Sequence, residues 1–239
     1  MTAVKRRSDP KACVRALPAT LEAFILDFDG TLATGSYDFP AMRERIHALA
    51  SSYGVEAQAL EGLYVLEAVE RAAAMIQQAG GETGAFRAVA ERIIREIELR
   101  GARSSQLLPG AGEALASLRE SGYRIAIVTR NSRAVIETIA GAVSLARDAF
   151  LGRESVTRVK PHPEHLAAAL ACLECEGRHA AMVGDHPMDI AAGRAAGAAT
   201  VGVLTGAGTR ETLGAAGADL IVDSVIELAE ALAVGRRRT

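Results

Sequence analysis

The chain has 239 residues, of which 49% are hydrophobic, and a formal net charge of −2. That length and apolar content suffice to bury a substantial core, and the near-neutral charge excludes the global basic excess of a nucleic-acid binder. Aromatic residues make up 4% and tryptophan is absent, so packing has to come from Ala, Leu, Ile and Val.

The first 20 or so residues read as a charged tail ending near Pro18, with Lys5, Arg6 and Arg7 solvated, as are Arg236, Arg237 and Arg238 at the other end. No apolar stretch suited to a signal peptide follows the N-terminal charges. No run approaches the roughly 18 apolar residues of a membrane span. The expectation is a soluble, cytoplasmic protein with no membrane or nucleic-acid partner. Three cysteines, Cys13, Cys172 and Cys175, are too few and odd in number for a disulfide scaffold. Cys172 and Cys175 form a C-x-x-C late in an alanine-rich stretch, read as two small helix residues, since no second pair completes a zinc site.

In chain order, Ala23 to Phe28 is a short apolar run bounded by Gly30, which predicts a buried strand. Further strands are predicted at Arg124–Thr129, Ala180–Gly184, Ala199–Leu204 and Leu220–Val222. Each run is continuous rather than alternating, the pattern of strands covered on both faces of a parallel sheet. Helices are predicted at Gly110–Ser121, Ser132–Val143, Pro163–Glu174, Pro187–Ala196 and Ser224–Ala233. The alternation implies an α/β class, a Rossmann-like parallel sheet flanked by helices.

The stretch from Ser36 to Arg103 carries no strand signal and is too long for one crossover. Helices are predicted at Pro40–Ser52, Val55–Gln78 and Glu82–Arg100, the second closed by Gly80-Gly81 and the third by Gly101. The third has Glu91/Arg95 and Glu96/Arg100 at i,i+4 and apolar residues at a helical period. The expected organisation is a tail at 1–20, an α/β core at 21–35 and 104–235, and a small all-α domain at 36–103 inserted after the first strand. Thr34-Gly35-Ser36 and Gly101 to Ser105 are the expected linkers.

Asp27-Phe28-Asp29-Gly30-Thr31 ends the first strand, where an open parallel sheet has its binding crevice. Asp27 and Asp29 can lean to one side while Phe28 enters the core. Two carboxylates this close repel unless they share a proton or a cation neutralises them. Mg²⁺, which prefers hard oxygen ligands, is the natural choice. A capped turn after a strand would also use Asp-x-Asp-Gly.

This motif resembles the first signature of the haloacid dehalogenase superfamily, in its phosphatase form. The resemblance implies that Asp27 is a phosphate-accepting nucleophile and Asp29 a general acid and base, with Gly30 and Thr31 in the substrate-binding turn. Thr129 at the end of the second strand matches the second signature, where its hydroxyl and neighbouring N–H groups would hold the phosphoryl group; a lone Thr there also suits a helix cap. Asn131 joins Arg130 among the expected substrate-binding residues; Arg130 either pairs with a second anionic group of the substrate or points to solvent. Lys160-Pro161-His162-Pro163 resembles the third signature of the phosphoglycolate-phosphatase-like branch, with Lys160 neutralising phosphate and carboxylates. His162 and His165 are expected as surface or capping residues. Gly184-Asp185 with Asp189 four residues on resembles the fourth signature; helix capping would explain either acid alone.

By this resemblance Mg²⁺ is held by Asp27, the Asp29 backbone carbonyl and Asp185, with Asp189 acting through water or holding Lys160. The implied enzyme is a phosphoric monoester hydrolase acting on a small phosphoester through an aspartyl phosphate, with the helical insert as a lid. Phosphoglycolate is the first substrate expectation. A phosphomutase on the same core, or a non-catalytic phospho-acceptor or binding protein, are the alternatives. The sequence leaves the oligomeric state open.

Overall fold

A computed structural model describes residues 16–35, 37–141 and 145–236. Lys5 to Arg7, Cys13, Ser36, Val143, Arg237 and Arg238 lie outside the described residues. The chain divides into two compact units: one runs to Gly35 and resumes at Ser105, and the other lies between Ser36 and Ser104.

The first unit is built on a six-stranded sheet. Its strands are β1 (Ala23–Leu26), β4 (Arg124–Val128), β5 (Ala149–Leu151), β6 (Ala180–Gly184), β7 (Ala199–Val203) and β8 (Leu220–Val222). A separate two-residue pair, β2 (Ala33–Thr34) and β3 (Gln106–Leu107), runs antiparallel. The order β5-β4-β1-β6-β7-β8 puts β1 between β4 and β6, and every pairing in this sheet is parallel. The chain therefore builds outward to one side of β1 and then to the other. Such a reversal opens a crevice at the carboxyl ends of the central strands.

Both sheet faces are covered, as the continuous apolar runs predict. Ala23, Ile25, Ala126, Val128, Ala180 and Met182 form one buried cluster with Leu166, Ala169, Leu173 and Ala192. The first three of these come from α6 (Glu164–Cys172) and its C-terminal cap, and Ala192 from α7 (Pro187–Ala195). The alternate residues Phe24, Leu26, Ile125 and Ile127 are also fully buried. The remaining helices of this unit are α4 (Ala111–Glu120), α5 (Arg133–Ala140), α8 (Arg210–Ala215) and α9 (Val225–Arg236).

The second unit contains α1 (Phe39–Ser52), α2 (Val65–Gln78) and α3 (Gly84–Ala102). Asp38 caps α1 by accepting from the Ala41 N–H at 3.0 Å. Met42, Ile46, Val69, Ile76, Phe86, Ile94 and Ile97 share a closed apolar core. The expected Glu96–Arg100 pair forms at 3.0 Å, and Glu96 also meets Arg45 at 2.9 Å.

Several expectations need correction. The sheet has a further strand, Ala149–Leu151, whose three residues are too few to carry a pattern. The segment expected as one helix, Val55–Gln78, is a 3₁₀ turn at Ala57–Leu60 followed by α2. The break falls at Gly62, which adopts φ +73° while Leu60 and Val65 turn into the core. Helix α3 continues to Ala102, through part of the expected linker. Helix α9 continues to Arg236, which was read as tail. His165 is fully buried rather than on the surface.

Candidate active site

Beyond the carboxyl end of β1 the chain turns sharply. The Gly30 N–H donates to the Ala33 carbonyl at 2.7 Å, with Gly30 at φ +75°. A Cβ at Gly30 would lie 2.5 Å from the Asp185 carboxyl carbon, so only glycine lets β1 and β6 bring their acids together. Thr31, in the same turn, is fully buried, and its hydroxyl has no hydrogen-bond partner among the described residues.

Lys160 reaches this point from the loop before α6. Its side chain is 1% exposed, and Nζ lies 2.7 Å from Asp27 Oδ1 and 2.8 Å from Asp189 Oδ1. Burial works against the ammonium, but Asp189 and Asp27 outweigh it and hold its pKa above the ordinary lysine value. Asp189 is fixed by the start of α7. Its Oδ2 accepts from the His186 N–H at 3.1 Å, while His186 Nδ1 accepts from the Met188 N–H at 3.1 Å. This reciprocal cap requires a neutral imidazole with its proton on Nε2. Burial favours that state, pushing His186 below its usual pKa.

Asp185 is nearly buried and is wrapped by the loop after β7. Ala207 N–H donates to its Oδ2 at 2.7 Å and Gly208 N–H to its carbonyl at 2.9 Å, while Thr205 Oγ1 donates to the Gly30 carbonyl at 2.5 Å. A Cβ at Gly206 would come within 2.0 Å of Asp185 Oδ2. The sequence reading missed this loop. Its signal was Gly206-x-Gly208 directly after a strand, where backbone has to approach closely.

The segment after β4 holds Asp29. Asn131 Nδ2 donates to Asp29 Oδ2 at 2.7 Å, and Thr129 Oγ1 lies 3.4 Å from the same oxygen. Asn131, expected to bind substrate, thus directs its amide at Asp29. Arg130 donates through Nη1 to the Lys160 carbonyl at 2.7 Å, and the same nitrogen lies 3.5 Å from Met188 Sδ. Sequence alone could not choose this partner, because the Lys160 carbonyl is 30 residues away. His162 Nδ1 accepts from the Glu164 N–H at 3.1 Å, a capping role at α6.

Asp27, Asp185 and Asp189 each offer a carboxylate oxygen within 4.8 Å of the others. Burial pushes Asp27 well above the usual carboxylate range, only partly offset by Lys160. Burial and the neighbouring Asp189 push Asp185 up to about 6. One lysine does not neutralise this group, and a hard divalent cation fits both the donor chemistry and the missing charge. Both Asp189 oxygens are engaged, by Lys160 and by His186 N–H, which leaves Asp27 and Asp185 as the carboxylates suited to hold the ion. The cysteines stand apart. Cys172 and Cys175 are free, and burial raises the Cys175 thiol pKa, the opposite of activation. No helix among the described residues is long and apolar enough to cross a membrane.

Residues 21–197 match the family model of haloacid dehalogenase-like hydrolases. The chain is 31% identical over 226 residues to a plasmid-borne phosphoglycolate phosphatase from Cupriavidus necator, covering 92% of this chain and 96% of that protein. It is 33% identical over 130 residues to the pyrophosphatase PpaX of Anoxybacillus flavithermus, covering 52% of this chain and 59% of that one. A solved structure described as a predicted phosphoglycolate phosphatase from Haemophilus somnus 129PT shares the fold at a TM-score of 0.60 and 22% identity, covering 89% of this chain and 98% of that chain. A nearly buried lysine between two acids at a sheet crevice, together with a family match over most of its length, places this chain in the haloacid dehalogenase-like hydrolase family.

Proposed function

We propose that the chain is a Mg²⁺-dependent phosphatase that hydrolyses a small phosphomonoester through an aspartyl phosphate on Asp27. The observation that carries this reading is the Lys160 ammonium, held between Asp27 and Asp189 where the sheet reverses direction. Phosphoglycolate is the first substrate to try, because the Cupriavidus necator relative named for it aligns over 96% of its own length.

Asp27 attacks phosphorus and the ester P–O bond breaks, its electron pair remaining on the leaving oxygen. Asp29 gives that oxygen a proton. Asp29, now a carboxylate, then takes a proton from the water that attacks the aspartyl phosphate, releasing phosphate and restoring Asp27. Lys160 stays paired with Asp27 and Asp189 and offsets negative charge as it builds on the phosphoryl oxygens. A bound Mg²⁺, held by Asp27, Asp185 and the Asp29 carbonyl, would supply further charge neutralisation for the phosphoryl group. Gly30, Thr31 and the N–H groups following Thr129 belong to the turns that would receive the phosphate, with the Thr129 hydroxyl shared between that role and Asp29.

The test is release of inorganic phosphate from p-nitrophenyl phosphate, phosphoglycolate, hexose phosphates and nucleoside monophosphates, with Mg²⁺ and with EDTA. Turnover should require Mg²⁺ and fall by about 10³-fold or more in Asp27→Asn. An isomerised sugar phosphate in place of free phosphate, or stoichiometric labelling without turnover, would overturn the reading.

A further inference from the structure

We propose that Thr205 is a positioning residue for the divalent cation: by tying the loop after β7 to the turn after β1, it fixes the Asp29 carbonyl relative to Asp185 and makes the site favour Mg²⁺ over Ca²⁺. The inference rests on the Mg²⁺-dependent reading above and adds to it the residue that sets the affinity and the choice of ion.

The Asp29 carbonyl and the Gly30 N–H belong to one planar trans peptide, so they point in opposite directions. The Gly30 N–H donates to the Ala33 carbonyl at 2.7 Å, which sets the direction of the Asp29 carbonyl. That direction holds only while the peptide on the other side of Gly30 stays in place. Gly30, at φ +75°, has no side chain to restrict it. Thr205 supplies the restraint: its Oγ1 donates to the Gly30 carbonyl at 2.5 Å.

This bond reaches across a strand. β6 lies between β1 and β7, and Thr205 is 175 residues from Gly30. The same loop holds Asp185 twice, through the Ala207 N–H on Oδ2 at 2.7 Å and the Gly208 N–H on its carbonyl at 2.9 Å. The loop is itself anchored at both ends. The Leu204 N–H donates to the Val222 carbonyl at 3.2 Å, and Thr209 Oγ1 caps α8 by accepting from the Thr212 N–H at 3.2 Å. One anchored loop thus grips both segments that would hold the ion, and Thr205 is its link to the first of them. Mg²⁺ demands near-ideal octahedral geometry, whereas Ca²⁺ accepts a larger and more variable set of oxygens. Ligands held at a fixed spacing therefore favour Mg²⁺, and loosening them weakens Mg²⁺ binding more than Ca²⁺ binding. Residues that orient metal ligands from behind typically change affinity by about 10- to 100-fold.

The experiment titrates the full-length, metal-free protein with MgCl₂ and with CaCl₂, reading Kd by isothermal titration calorimetry and by the rise in melting temperature. Wild type is compared with Thr205→Val, which keeps the shape and removes the donor, and with Thr205→Ser, which keeps the hydroxyl. Circular dichroism checks the fold of each. In Thr205→Val the Kd for Mg²⁺ should rise by about 10-fold or more, and that for Ca²⁺ by less than about threefold. Thr205→Ser should stay within about threefold of wild type for both ions. Thr205→Ala, which also lacks the hydroxyl, takes the place of the valine variant if that one unfolds. An unchanged Mg²⁺ Kd, even with a lower metal-free melting temperature, would make Thr205 a purely structural residue and overturn the inference alone. Equal losses for the two ions, or no recovery with serine, would do the same. Absence of Mg²⁺ binding by wild type would overturn the Mg²⁺-dependent reading and this inference with it.

Discussion

The two units handle charge in opposite ways. Among the described residues of the helical unit the interior is apolar apart from Glu98, and the pairs Arg45–Glu96, Arg100–Glu96 and Arg87–Glu70 stand on the exposed surface. In the α/β unit Lys160, Asp185, Asp189, Thr129, Asn131 and His165 are all buried. Burying ionic groups costs free energy that apolar packing does not. The helical unit is therefore put together like an ordinary core, while the α/β unit holds an arrangement that packing alone would not select. Such departures from simple folding logic are expected at functional sites.

The largest effect on this contrast should come from Lys160→Met. It leaves Asp27 and Asp189 buried without their cation, which should cost about 3–5 kcal/mol in urea or thermal unfolding, along with nearly all phosphate release. In the helical unit, Ile94→Ala removes a side chain that is 2% exposed and should cost about 3 kcal/mol through cavity formation, with no change in the pH dependence of stability.

Asp185→Asn should act in the opposite direction. The Asp185 pKa is raised to about 6 from an ordinary value of 3.8, so its contribution to stability is full below about 3.8 and lost as pH rises through 6. The metal-free variant should therefore be about 2 kcal/mol more stable than wild type at pH 8 and equal to it near pH 4. His165 has the reverse sign. Burial lowers it from 6.5 to about 4, so its contribution is full above 6.5 and lost as pH falls towards 4. The Asp185 and His165 slopes oppose each other in wild type, and Asp27, raised by burial, shares the Asp185 sign, so Asp185→Asn should shift the balance towards loss of stability on acidification without isolating the His165 slope. Mg²⁺ should raise the wild-type melting temperature at pH 8, less so at pH 5, and not in this variant. The smallest effect is expected at Arg87–Glu70, whose side chains are 46% and 60% exposed. A double-mutant cycle there should return roughly 0.2–1 kcal/mol, falling with added salt.

The same contrast explains what could be read from the sequence. Asp27 and Asp185 announce themselves because each follows an apolar run that forms a β-strand, and Lys160 because the proline after it holds it in an extended loop before a helix. The helical unit showed in its 3.6-residue period and its lack of strand signal, although the turn at Gly62 was hidden within a continuous helical pattern. The partners of Arg130 and Asn131 could not be read, since they depend on which loops the crossovers bring together across 30 and 102 residues. His165 looked like a surface residue because a neutral buried imidazole leaves no trace in local polarity.

The short pairing of Ala33–Thr34 with Gln106–Leu107 has a consequence for engineering. The chain leaves the α/β unit and comes back to it through residues one ladder rung apart, closed by Thr34 Oγ1 on the Gln106 backbone at 3.1 and 3.2 Å. Such a junction tolerates a change of cargo, because whatever lies between has only to begin and end side by side. A tight two-residue turn satisfies that condition as well as a bundle of helices does. The protein is thus already cut for grafting: the junction after Thr34 is a socket into which a different segment could be fitted while the acids after β1 and β6 keep their register.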